Sequence, residues 1–210
     1  MRILLDDRET TLRADTVGVA LQEAATLAGQ SGRMIVEIEV DGIAWCEEDL
    51  ARPEHTARGA TEVRLSTAHP AELLRDTFAH ATEAVLNAEE IQRAAAKLMQ
   101  SNREGEGLQK LLEALAVWGS VQTAVSRGLE LGVLTRDDVR AAGIDLDGAV
   151  AVLDAQLRAL RTAMQSQDTT AVSDCLMYEF PATTKRFAET LAAMAGAVAR
   201  IAARHSNPQK

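Results

Sequence analysis

Aromatic residues are scarce in this chain, at 3% of its 210 residues. The core must therefore rest on Leu, Val, Ile and Ala, and stacked aromatic platforms for single-stranded nucleic acid are not expected. Basic residues are in the minority too, with 22 Lys and Arg against 31 Asp and Glu and a net charge of −9. Because phosphate binding needs a basic surface, the composition argues against nucleic acid as a partner.

Long apolar runs and clustered cysteines are also missing. The longest stretch of low charge, at residues 190–199, is about half as long as a membrane-spanning helix, so we expect no membrane span. Cys46 and Cys175 have no CxxC pattern and no neighbouring His. These thiols could pair, but isolated cysteines are typical of a reducing compartment. We therefore expect a cytoplasmic protein with two reduced, partly buried thiols.

The apolar spacing changes at Pro70. Before this residue, apolar side chains alternate with polar ones as in strands, and after it they recur at steps of three and four as in helices. Because proline fits the first turn of a helix, His69 and Pro70 are predicted to begin the first long helix. We predict an α+β chain with a small domain at residues 1–68, a helical domain at 69–206 and a disordered tail at 207–210.

The small domain is predicted to follow the order β-β-α-β-β-β. Residues 34–40 alternate, with Val36, Ile38 and Val40 on one face, and Asp41-Gly42 is a strong hairpin turn. The helix is capped by Asp15 or Thr16. The other strands are predicted at residues 2–6, 11–14, 43–45 and 62–66.

This order of elements over residues 1–67 resembles the ubiquitin-like β-grasp fold. The resemblance implies a module that docks on partners through its sheet face or its edge. Conjugable members of that superfamily end in a free Gly-Gly tail, whereas the last strand here continues through His69 and Pro70 into a helix. We therefore do not expect conjugation.

The helical domain is predicted to be an antiparallel bundle of about four long helices. The first covers residues 71–100, and a turn at residues 102–107 separates it from the second. Pro181 lies inside the apolar pattern of the fourth, where we expect one kinked helix or two nearly collinear ones. The apolar seams of the second to fourth helices are Leu108, Leu111, Leu115, Trp118, Val125 and Leu129; Val150, Leu153, Leu157, Leu160 and Met164; and Met177, Phe180, Phe187, Leu191, Met194, Val198 and Ile201.

Two polar residues lie on these apolar seams. Gln122 belongs to the second helix and Thr184 to the fourth. A polar residue at a core position often fixes the register of a bundle. Alternatively, the two residues could line a pocket between helices.

The fourth helix carries two rows of small residues at steps of four. One row contains Ala188, Ala192 and Gly196, and the other contains Ala195 and Ala199. Small side chains let another helix approach closely. The rows could pack within the bundle or form a docking face for a second copy or a partner helix.

No residue is predicted to be catalytic, to bind a cofactor or to hold a metal. Asp76, His80 and Glu83 share one helix face, but a di-iron bundle needs a Glu-x-x-His motif on each of two helices. A solvated polar face explains these three residues better.

The two-part architecture, the acidic surface and the missing catalytic pattern predict a non-enzymatic adaptor or chaperone-like protein. It would bind a protein partner through the bundle or the sheet, or it would self-associate. The acidic amphipathic helices are similar in general to those of bacterial export chaperones, which hold a client helix in an apolar groove. The alternative is a small-molecule- or metal-binding protein, or a small enzyme, with its site between the domains.

Trp118 is predicted to be the main anchor of the bundle. If its ring is buried, Trp118→Ala should lower the free energy of unfolding by about 3–5 kcal/mol, because a cavity replaces a large side chain. Thermal unfolding of the variant measures this change. An unchanged melting temperature would contradict the seam assignment.

Overall fold

The computed structural model describes residues 1–206, and the tail predicted at residues 207–210 lies outside the described residues. The chain divides into two compact units, one at Met1–Leu73 and one that starts at Leu74. The first unit contains a sheet with helices, and the second consists of helices. The chain is therefore α+β, as predicted.

In the first unit, five strands form one mixed sheet in the order β2-β1-β5-β3-β4. The first and fifth strands are parallel, and the other pairs are antiparallel. This arrangement is compatible with a β-grasp-like topology. The strands are β1 Arg2–Leu5, β2 Arg8–Glu9, β3 Met34–Val40, β4 Ile43–Ala44 and β5 Glu62–Ala68, and the helices are α1 Val17–Gln30, α2 Glu47–Leu50 and α3 Pro53–Thr56.

The first hairpin is shorter than predicted. Leu5 pairs with Arg8 across a two-residue turn at Asp6 and Asp7, whose φ angles are 50° and 62°. Aspartate tolerates this left-handed region better than most residues, so the turn forms without glycine. The strand predicted at residues 11–14 is wrong, because the return strand begins directly after the turn.

The range of β3 was predicted, but its two faces do not alternate throughout. A bulge interrupts the pairing with β5 between Ile35 and Glu37, and Val36 is 40% exposed. The expectation that Val36 shares the buried face of Val40 is wrong, because a bulge inserts an extra residue and changes the side of those before it. The core of this unit contains Ile3, Val17, Ala20, Ala24, Val40, Val63 and Leu65.

From Pro70 onward the described chain is helical, with short links. The turn predicted at residues 102–107 is mostly wrong, because helix resumes at Glu104. The turn itself is made at Asn102, whose φ is 59°. The elements are α4 Pro70–Gln100, α5 Glu104–Glu130, α6 Arg136–Ala141, α7 Leu146–Gln165, α8 Thr169–Asp174, a π-helical segment Cys175–Glu179 and α9 Phe180–Ser206.

Two glycines bring α5 close to α4 in an antiparallel pair. A Cβ added at Gly107, near the start of α5, would lie 2.9 Å from the carbonyl oxygen of Ala95 near the end of α4. One added at Gly128, near the end of α5, would lie 2.6 Å from Leu74 Cδ1 near the start of α4. At Gly107 the missing side chain lets the two backbones approach each other, and at Gly128 it leaves room for the side chains of Leu74 and Phe78.

This close packing rotates α5 relative to its predicted seam. Trp118 is 4% exposed, which confirms its burial, but Leu108 is 42% exposed. The prediction followed the large apolar residues, whereas part of the real contact is made by small ones. The buried residues of α5 are Gly107, Leu111, Ala114, Trp118, Val121, Val125 and Gly128.

No loop separates α8 from α9 around Pro181. The π-helical segment precedes α9, and the Phe180 N–H donates to the carbonyl oxygen of Cys175, five residues earlier. Proline lacks an N–H and clashes with the preceding turn of an α-helix, and the wider π turn accommodates it. From Phe180 to Val198 the seam is buried as predicted and Ile201 is half-buried, but before Phe180 it is Leu176 rather than Met177 that is buried.

Gly107→Ala should destabilise the protein, although alanine favours helix more than glycine does. The added methyl group meets the Ala95 carbonyl oxygen, and the resulting strain should lower the free energy of unfolding by about 1–3 kcal/mol. Gly119→Ala is the matched control. An added Cβ meets no atom within 4 Å there, and the variant should gain about 0.5–1 kcal/mol. Chemical denaturation measures both, and equal stabilisation would contradict the close packing of α4 and α5.

Candidate functional site

Two cavities lie between α5 and α7; the first exposes polar and apolar surface in nearly equal amounts, and the second is mostly apolar. We call the surface formed by their lining residues the α5–α7 groove. The first cavity, of about 620 Å³, is lined by Met99, Glu104, Gly105, Leu108, Leu111, Ala163, Met164, Gln167, Thr169 and Val172. The second, of about 340 Å³, is lined by Leu115, Trp118, Gly119, Val121, Gln122, Val150, Leu153, Asp154, Leu157 and Phe187.

The two helices run antiparallel along the groove. Leu108 shares the first cavity with Met164, and Leu115 shares the second with Leu157. Leu112, which is 57% exposed, follows the same helical spacing between Leu108 and Leu115. The apolar stripes of both helices are therefore only partly covered by the rest of the described chain.

Trp118 connects the groove to the core of the second unit. It lines the second cavity, and its ring meets Phe187 edge to face, with centroids 5.5 Å apart and planes at 76°. This geometry is favourable for aromatic rings. Trp118 Nε1 is buried and has no hydrogen-bond partner among the described protein groups.

The ionisable residues that line the groove are acidic. Glu104 lines the first cavity and Asp154 the second, and no Lys, Arg or His in the described part of the chain lines either one. Glu104 accepts a hydrogen bond from Thr169 at 3.2 Å, and Asp154 forms an ion pair with Arg158 at 2.5 Å. An occupant of the groove would meet apolar side chains with one acidic side chain at each cavity, of which Asp154 is paired with Arg158.

The two predicted polar seam residues occupy different environments. Thr184 is fully buried. Gln122 is exposed and lines the second cavity; it is not a core residue, because Val121 occupies the buried position.

Sequence reasoning missed Gln92, which is 0% exposed. Gln92 lies four residues after Ala88 on the buried seam of α4, so extending that pattern by one step finds it.

The small residues of α9 are only partly packed within the second unit. Ala188 is buried and Ala195 and Gly196 are half-buried, whereas Ala192 and Ala199 are exposed. Part of each row therefore packs inside the chain. Docking of a second copy or a partner helix on the exposed part stays a prediction.

The cysteines lie in contrasting environments. Cys175 is buried, its sulphur accepts a hydrogen bond from Gln156 Nε2 at 3.0 Å, and burial raises the pKa of its thiol. Cys46 lies in the link between β4 and α2 and is exposed. The expectation that it is partly buried is therefore wrong.

Among the described residues, no group of three His, Cys, Asp or Glu side chains could hold a metal ion.

Comparison with known proteins found no matching family model, no matching curated protein and no matching solved structure. No helix within residues 1–206 is long and apolar enough to cross a membrane. Of the two cavities between α5 and α7, the first is the more voluminous and the second the more apolar.

The two thiols should differ in their reaction with a thiol reagent such as DTNB. One equivalent should react rapidly in the native protein, and the second only after unfolding, because burial disfavours the Cys175 thiolate. Cys46→Ser should abolish the rapid phase, and Cys175→Ser should retain it. Two rapidly reacting thiols would contradict the burial of Cys175.

Proposed function

We propose that this protein binds an amphipathic helix of a protein partner in the α5–α7 groove. The observation that carries the proposal is the pair of facing apolar stripes, on which Leu108 and Val150 are 42% and 46% exposed. A helix laid between these stripes buries its own apolar face, which is a recurrent mode of peptide recognition.

The dimensions of the groove suit a helix. The two cavities together extend along α5 from Glu104 to Gln122, a span of roughly 18 residues, or about 27 Å. A partner helix of about five turns covers this length and presents apolar residues at steps of three and four. The apolar area that it buries supplies the main driving force for association.

The charge of the groove specifies the flanks of the partner helix. Because Glu104 and Asp154 are acidic and the whole chain carries a net charge of −9, we expect Lys or Arg beside the apolar stripe of the partner. Such charges speed up the encounter of the two proteins. They also make the rate of association fall as salt increases.

Within this proposal the protein acts in the cytoplasm as an adaptor or a chaperone-like protein, and not as an enzyme or a nucleic-acid-binding protein. The first unit serves as a β-grasp module with a second docking surface. The long helices α4, α5, α7 and α9 form an antiparallel four-helix bundle. Covering an apolar helix of a partner would protect that helix from aggregation, which is what a chaperone of this type does.

A small apolar ligand is the second candidate for the occupant. The first cavity, at about 620 Å³, falls within the range of small-molecule sites, which is about 300–1,000 Å³. Gln167 and Thr169 at its edge could orient such a ligand through hydrogen bonds. The two candidates differ in what co-purifies with the chain.

Affinity purification of the full chain from its native host tests the proposal with matched variants. The wild-type chain should retain one stoichiometric protein. Leu108→Glu should retain at least about tenfold less of it, because a buried charge in the apolar stripe costs more than 1.4 kcal/mol of binding free energy. Leu86→Glu is the control, since Leu86 lies on α4, is 47% exposed and does not line the groove.

A synthetic peptide with the sequence of the captured partner's helix gives the direct measurement. In a Trp45→Phe background Trp118 is the remaining tryptophan, so its emission reports on the groove as the peptide is added. Equal retention of the partner by Leu108→Glu and Leu86→Glu would contradict the proposal. A small molecule seen by native mass spectrometry and displaced by Leu108→Glu would favour the second candidate.

A further inference from the structure

We infer that Gln92, Trp118 and Thr184 enclose a polar site in the core of the second unit, and that this site binds an ordered water molecule. The three side chains come from α4, α5 and α9 and are 0%, 4% and 0% exposed. Both polar atoms of the Gln92 amide, Trp118 Nε1 and Thr184 Oγ1 have no partner among the described protein groups. Buried polar atoms of this kind are rare, and they usually mark a bound water or ligand.

The packing of α4 against α5 places Gln92 and Trp118 within two helical turns of each other. The glycine contacts at both ends of this antiparallel pair fix its register. In that register Gln92 and Trp118 are separated by about six residues, or about 9 Å, along the common axis. Helical side chains lean towards the N-terminus of their own helix, so in this antiparallel pair the two side chains lean towards each other.

The contact between Phe187 and Trp118 relates the position of Thr184 on α9 to that of Trp118 on α5. The Phe187 ring contacts Trp118, and Thr184 lies one turn earlier on the buried face of α9. Further along α9, Ala197 shares a cavity with Leu134, which follows α5 in the chain, so α9 runs in the direction of α5. Thr184 therefore lies on the side towards which the Trp118 ring leans.

The chemistry of the three side chains matches water. Gln92 offers two N–H donors and a carbonyl acceptor, Trp118 offers one N–H donor, and Thr184 offers a hydroxyl that donates and accepts. Water accepts two hydrogen bonds and donates two, so one molecule can serve all three residues. An ion would be buried among neutral groups without a counter-charge, which is strongly unfavourable.

This site lies behind the α5–α7 groove. Trp118 belongs to both, because it lines the second cavity and its Nε1 is one of the unpartnered atoms. A water bound to Nε1 would hold the indole ring in one orientation at the floor of the groove. The water site does not depend on which occupant the groove binds.

A crystal structure of the full chain, at a resolution that shows ordered solvent, tests the site directly. We expect a solvent peak within about 3 Å of Trp118 Nε1 that also lies within hydrogen-bond distance of Gln92 or Thr184. A direct hydrogen bond from Nε1 to either side chain without such a peak would overturn the inference. So would three side chains too far apart to share one molecule.

Two variants provide a second readout in solution. In the Trp45→Phe background the remaining indole N–H signal belongs to Trp118, and NMR should detect magnetisation transfer to it from a long-lived water. Gln92→Met keeps the length of the side chain and removes its polar atoms, and it should reduce this transfer severalfold. Gln109→Met, at an exposed position of α5, should leave the transfer unchanged.

The midpoint of unfolding of Gln92→Met gives an independent result. If Gln92 binds water, its replacement leaves the water and Thr184 with fewer hydrogen bonds, and the midpoint should fall. If the amide is buried without any partner, removing its polar atoms should instead raise the midpoint. A raised midpoint together with unchanged magnetisation transfer would overturn the inference.

Discussion

The close approach of α4 and α5 is the constraint on which the described arrangement of the second unit depends. Gly107 and Gly128 leave room for the backbone and side chains of α4, so the buried face of α5 includes several small residues. The large leucines of α5 then occupy the neighbouring stripe, where Leu108 and Leu112 stay exposed. The groove exists because the residues that hold the helix pair together are not the largest ones.

Trp118 links this packing to the proposed function, because it lines the groove while its Nε1 is buried without a hydrogen-bond partner among the described protein groups. Apolar contacts supply most of the free energy of folding but distinguish weakly between alternative arrangements. Buried polar groups such as Gln92 and Thr184 are costly to mispair, so they narrow the choice to one register. A rigid groove floor in turn lowers the entropy that a partner helix would lose on binding.

Sequence periodicity predicted the elements better than it predicted their contacts. The range of β3 and the helix that begins at Pro70 follow from the spacing within each segment. The rotation of α5 cannot be predicted from spacing within α5 alone. Whether a glycine in a helix is a contact position depends on the helix that packs against it. The groove was missed for the same reason: half-exposed residues such as Leu115 and Leu157 match the pattern of a core. The burial of Gln92 could have been predicted from the sequence, since Gln92 continues the buried seam of α4 without a break.

The π-helical segment before Pro181 has a consequence for the length of the chain. Its turn closes over five residues rather than four, so the helical stretch from α8 to α9 holds one residue more than an uninterrupted α-helix would. One residue corresponds to about 100° of rotation, and α8 and α9 therefore follow two different angular phases. Deleting a single residue here would let the turn close as an ordinary α-helical turn, with the buried sides of α8 and α9 left where they are. The segment thus holds one extra residue, so that α8 and α9, whose apolar patterns are offset by one residue in the sequence, continue as one backbone.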